Sequence, residues 1–177
     1  MKPSPVQLLR IWFQKVSVEL DEHHAPPDPA SVATDVFSFE GVTMKTSVGI
    51  AEMEGSTSGA HVYQITSELI VDNKKNKASK HQRFCPYLLG IKTVGVVRVP
   101  TDASKLAPVR DLALVNGAAL MWAAMREQLA TVTSRMPAGQ ILLPSVHFQD
   151  LRSDAPNVST KLAHGGGEPA ALLAEKA

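Results

Sequence analysis

The residue types that do chemistry are present in this chain, but they stand apart from the company that chemistry needs. His164-Gly165-Gly166-Gly167 has the order of an esterase oxyanion loop. Such an enzyme also needs a nucleophile raised on a G-x-S-x-G elbow between a strand and a helix. Gly55-Ser56-Thr57-Ser58-Gly59 places threonine at the nucleophile position, within a polar run that reads as a turn. His23 and His24, beside Asp21, Glu22 and Asp28, offer donors for a divalent cation. Adjacent side chains point apart in most backbones, and no CxxC or HxxxH accompanies them, so the stretch reads as a solvated loop. Cys85 has no histidine positioned to activate it and reads as a small buried hydrophobe. Lys74, Lys75, Lys77, Lys80, His81 and Arg83 form a basic cluster without interleaved aromatics, which reads as a hairpin tip and not as a nucleic-acid surface. Neither a P-loop nor a dinucleotide fingerprint is present. The expectation is a non-enzyme with no metal site and no cofactor.

Bulk properties narrow the class further. A chain of 177 residues with 44% hydrophobic and 20% charged residues is sized and composed like one globular domain. A formal charge of +1 creates no field that would draw it to nucleic acid or an anionic membrane. One cysteine cannot close an internal disulfide, which fits a reducing compartment. The N-terminal apolar run is broken by Arg10 and does not read as a signal peptide. No stretch approaches the roughly 20 apolar residues of a membrane span. The expected location is the cytoplasm.

The elements that position these residues follow from hydrophobic periodicity. Val6 to Leu20 is rich in β-branched and aromatic residues; from Gln14 to Leu20 it alternates and predicts a half-buried strand, with Val16, Val18 and Leu20 on one face, and Ser4 to Leu9 before it could form a short helical turn. Asp21 to Ala30 holds three prolines and is a long connection, leading to Val36-Phe37-Ser38-Phe39. Val42 to Met53 and Ala60 to Val71 predict the second and third strands. Gln82 to Val99 predicts a fourth, in which Pro86 and Gly90 call for bulges or an edge position. Leu112 to Arg135 predicts a helix of roughly 36 Å at about 1.5 Å per residue, ended by Met136-Pro137-Ala138-Gly139. Ile141 to Phe148 is an extended apolar arm containing Pro144. The fold class is therefore α+β: a four-stranded antiparallel sheet packed against one long C-terminal helix. Residues 1–151 form the domain, and 152–177 read as a disordered tail.

The helix carries the strongest functional signal. In Leu112 to Met125, LALVNGAALMWAAM, Asn116 is the one polar side chain. A surface helix shows an apolar stripe and a polar face; this one is apolar all round. Leu114, Ala118, Met121, Met125, Leu129 and Val132 suit the chain's own sheet. Val115, Ala119 and Trp122 lie on the opposite side, where a second copy of the chain is the simplest cover. Arg126-Glu127 begins a polar rim. Flexible methionines and the arm add apolar surface of the kind that accepts many shapes. Two readings follow: all of this surface is self-contact, or part of it stays open as a groove for other polypeptides.

Arg10-Ile11-Trp12 with Val16-Ser17-Val18-Glu19 resembles the first strand of the SecB chaperone family. Asn116 to Phe148, including Arg126-Glu127, Ser134-Arg135, Gln140-Ile141-Leu142-Leu143-Pro144 and Val146-His147-Phe148, is similar to the family's helix, loop and arm. Phe84-Cys85 to Gly90 also fits. The likeness covers roughly Leu8 to Leu151 and rests on order and spacing. It implies a homotetramer, a dimer of dimers with helices between the sheets. It also implies ATP-independent holding of unfolded clients in apolar grooves. Phe37, Phe39, Trp122, Met125, Ile141, Leu143, Val146 and Phe148 fall where the family lines such a groove. Members that deliver cargo to the export motor SecA use acidic residues on the sheet. Glu19 matches one such position as a candidate docking residue, while Lys15 and Pro86 depart from others. Other members protect an antitoxin, so the resemblance leaves protein export and antitoxin chaperoning both open, with a non-catalytic adaptor oligomer as the alternative to a chaperone.

Overall fold

The computed structural model describes residues 4–24, 37–75 and 81–153. Its four strands are β1 (Gln7–Leu20), β2 (Lys45–Glu52), β3 (Ala60–Val71) and β4 (Tyr87–Pro100), followed by the helix α1 (Val109–Thr133). The strands form one sheet in the order β1-β4-β3-β2, with every pair antiparallel. The α+β arrangement expected from segregated strands and helix is therefore present. No helix among the described residues is long and apolar enough to cross a membrane. Of the expected tail 152–177, residues 154–177 lie outside the described residues, as do 25–36 of the proline-rich connection and 76–80 of the basic cluster.

Two expectations about the strands are corrected. Gln7 to Leu9 belong to β1 and make no helical turn. The ladder irregularities fall in β1, between Leu8 and Arg10 and between Phe13 and Lys15, and not in β4. β4 is an interior strand, and Pro86 stands just before it, where no ladder amide is required of it. An edge strand tolerates bulges better, because one side carries no partner and the added twist blunts that side.

α1 crosses the sheet mainly over β3 and β4. Its approach depends on two glycines. A Cβ on Gly117 would stand 2.6 Å from Ile65 Cγ1 of β3, and one on Gly95 of β4 would run into the end of Met121. Beneath the C-terminal half of α1, the core joins Leu69, Val71, Tyr87, Leu89 and Ile91 to Trp122, Met125 and Leu129. Beneath its N-terminal half, Tyr63, Ile65, Val97 and Val99 pack with Ala113 and Met121. The cross-strand pair Ser67 and Thr93 is buried, with both hydroxyls lacking a partner among the described residues.

After α1 the chain reverses and retraces the helix. Gly139, at φ +79°, completes the reversal with a conformation that glycine adopts at no steric cost. The arm 140–148 is then pinned along its length. Tyr87 donates its hydroxyl to the Gly139 carbonyl at 2.9 Å, the Ile141 amide donates to Thr133 Oγ1 at 3.0 Å, and Trp122 Nε1 donates to the Pro144 carbonyl at 2.8 Å. Ser153 finally donates its hydroxyl to Asp111 in the first turn of α1, at 2.7 Å. Phe37 pairs with Ile141, and Phe39 joins the core beside it.

Candidate binding groove

The arm explains a helix without a polar side. One flank of α1 faces the sheet, and a second faces the arm. Val115 and Trp122, expected opposite the sheet and in need of a second copy, are 8% and 7% exposed within the chain itself. For Trp122 the reason is chemical: a buried indole N–H needs an acceptor, and a segment with no strand partners offers a spare carbonyl. Ala119 stays open, with Leu120 and Ala123 beside it. The third flank of α1 is thus apolar and uncovered, over residues where a solvated helix would carry charge.

An open groove of about 430 Å³ runs where this flank meets the arm. Its walls are Ala119, Trp122, Ala123, Arg126 and Glu127 from α1, and Leu142, Ser145, Val146 and Phe148 from the arm. Helical spacing of i, i+3, i+4 and i+7 puts Ala119, Trp122, Ala123 and Arg126 on one face. Phe148 meets Trp122 edge to face, with ring centroids 6.2 Å apart and planes at 65°. A narrower cleft on the other side of the same two rings is lined by Val48 of β2, Ser67, Met125 and Val146.

Of the eight residues expected to line a groove, Trp122, Val146 and Phe148 do so. Met125 reaches only the narrow cleft. Ile141 and Leu143 are fully buried core residues, and Phe39 is buried with them. Phe37 is half-buried and stacks edge to face on Phe39, at 5.2 Å between centroids. Those four are anchors of the arm and its neighbouring loop, not lining. The arm alternates, with Ile141 and Leu143 turned inward and Leu142 and Ser145 turned toward the groove. Leu142, Ser145 and Ala123 were missed; the helical spacing of Ala119, Ala123 and Arg126 was the available signal for Ala123.

The groove's electrostatics are uneven. Glu127 is exposed, whereas Arg126 is partly buried. Its Nε is enclosed and has no hydrogen-bond partner among the described residues. Glu19, the candidate docking residue, lies on the opposite face of the sheet and accepts a hydrogen bond from Ser17 at 3.2 Å. Lys15 and Lys92 share that face.

The remaining polar clusters are structural. Asn73, at φ +51°, donates from Nδ2 to Asp21 Oδ2 and to the Cys85 carbonyl, both at 2.7 Å, and accepts the Cys85 amide at 3.0 Å. His24 Nδ1 lies 2.8 Å from Asp21 Oδ2, and its ring stacks on Phe84 at 4.3 Å. This cluster joins the end of β1 to the β3–β4 connection. The Asn73 hydrogen bond, above all, holds the Asp21 carboxyl below its ordinary value. Burial pushes the Cys85 thiol up to about 11, so it is a neutral core group. No group of three or more potential metal ligands converges among the described residues. His164 to Gly167 lie outside them. No protein-family model matches this chain, and a comparison with curated proteins also finds no match.

Proposed function

We propose that this protein is a holding chaperone that binds unfolded or aggregation-prone polypeptide in an apolar groove, without nucleotide and without covalent chemistry. The observation that carries the proposal is the open groove over Trp122 and Phe148, continuous with the uncovered apolar flank Ala119, Leu120 and Ala123. Folded proteins cover apolar surface of this kind unless it serves a contact. The resemblance to the SecB family in the helix and arm supports the same reading, with a cytoplasmic homotetramer and either export or an antitoxin as the client pathway. Lys15 and Lys92 on the face that carries Glu19 disfavour a docking mode built on acidic residues, so SecA is left out of the proposal.

The exposed flank of α1 also favours a second reading, in which a further copy of the chain covers it and the protein is an adaptor oligomer. Light scattering from a reduced, aggregating model protein separates the two. The chaperone reading predicts suppression at about stoichiometric ratios without ATP, weakened by Phe148→Ser. An oligomer that leaves the aggregation rate unchanged contradicts it.

A further inference from the structure

We infer that the chain's own residues 168–176 dock in the groove and compete with clients for it. The inference rests on the chaperone reading and adds regulation to it: a client gains the site by displacing the chain's own segment.

The described chain ends within reach of the groove. Ser153 is held by Asp111 in the first turn of α1, with its hydroxyl 2.7 Å from the carboxylate. The helical wall of the groove, Ala119 to Glu127, lies further along the same helix. At about 1.5 Å per residue, Asp111 stands roughly 24 Å from Glu127 along the axis. Residues 154–167 span up to about 46 Å at about 3.3 Å each. The segment that follows them can therefore be laid along the whole groove without moving the arm.

The order of residues in that segment matches the order along the groove. Residues 168–176 read Glu-Pro-Ala-Ala-Leu-Leu-Ala-Glu-Lys, and Ala170 to Ala174 is the longest unbroken apolar run within 154–177. Chain arriving from the N-terminal end of α1 meets Ala119, Trp122 and Ala123 first, and Arg126 and Glu127 last. Its own apolar run likewise comes first and its charged pair last. Leu172 and Leu173 then fall against Trp122, Val146 and Phe148, and Lys176 arrives at Glu127, an exposed carboxylate. Ala119 to Glu127 covers about 12 Å, which residues 168–176 bridge in helical or in extended form.

Tethering gives a short segment weight. An affinity of about 0.1 mM, set against an effective concentration of about 1 mM, masks the groove about tenfold. A client with a longer apolar stretch still displaces it, whereas a weak or short one does not.

The test compares the full-length protein with its Leu172→Ser/Leu173→Ser double variant, which alters no described residue. The probe is a fluorescein-labelled decapeptide of alternating leucine and serine, read by fluorescence anisotropy. The double variant should bind the probe about tenfold tighter. An unlabelled peptide of residues 168–176 should displace the probe from the double variant, and the same peptide with both leucines changed to serine should not. Equal probe affinity in the two proteins overturns the inference and leaves the chaperone reading standing. Failure of the 168–176 peptide to compete also overturns it. If neither protein binds the probe, the chaperone reading fails together with the inference. If the double variant dissociates an oligomer seen by sedimentation velocity, the segment joins two copies, and docking within one chain is overturned.

Discussion

Trp122→Phe probes how the arm is held and what shapes the groove. The substitution keeps an aromatic ring and removes the donor that reaches the Pro144 carbonyl at 2.8 Å. A hydrogen bond of this kind is worth about 1 kcal/mol net. The smaller ring also loses on the order of 40 Å² of buried apolar contact, or about 1 kcal/mol at roughly 25 cal/mol per Å². The expected loss is therefore about 2 kcal/mol. For a domain of this size that corresponds to a melting temperature lower by about 4–8 °C. Hydrogen exchange should accelerate first at the amides of 141–148, because the arm has no ladder to fall back on. A melting temperature within about 1 °C of the parent, with unchanged protection in the arm, would refute the claim that Trp122 anchors it. Trp122→Ala is a poorer tool: emptying a site only 7% exposed costs about 3–5 kcal/mol and confounds binding with unfolding.

Gly117→Ala should destabilise by about 1–3 kcal/mol in urea unfolding, although alanine is the better helix former, because its methyl would press on the stiff Ile65 side chain; a stabilised variant would contradict the close approach. Gly95→Ala should cost less, since it meets only the flexible end of Met121. The folded Asp21 carboxyl titrates below its ordinary value of 3.8, so the stability it confers is complete above that pH and is lost as the pH falls through the folded value. Asp21→Asn should therefore lower the denaturation midpoint at pH 7, and the gap to the parent should narrow by pH 3; a constant gap argues against the cluster. Cys85, buried and raised to about 11, should resist thiol reagents in the native protein at pH 8 and react at the rate of unfolding. Rapid labelling of folded protein would show the site to be accessible.

How much of this could be read in advance varies by element. β3 was legible in its bounds, Ala60 to Val71, preceded by a polar turn, although its burial alternates only from Tyr63 onward. β1 was legible only where it alternates, from Gln14 onward. Its first half, Gln7 to Phe13, is a nearly continuous apolar run interrupted by a bulge, which erases the period of two that marks a strand. The interior position of β4 was hidden because Pro86 was read as part of it. The helix was plain, but what covers it was not. An all-round apolar helix demands two covers and does not say whether the second is a partner or the chain's own return. The arm has no repeating geometry, so only the structure separates Ile141 and Leu143, which face the core, from Leu142 and Ser145, which face the groove.

The central claim is that unfolded polypeptide occupies the groove between α1 and the arm. Its most direct test is site-specific photo-crosslinking to a reduced, unfolded model protein, with the photoreactive residue at Ser145 on the groove wall or at Glu54 in the β2–β3 turn. The account predicts a crosslinked adduct from position 145, little from position 54, and loss of the adduct when Phe148→Ser is added. Equal adducts from both positions, or none from position 145 while the protein still suppresses aggregation, would contradict it.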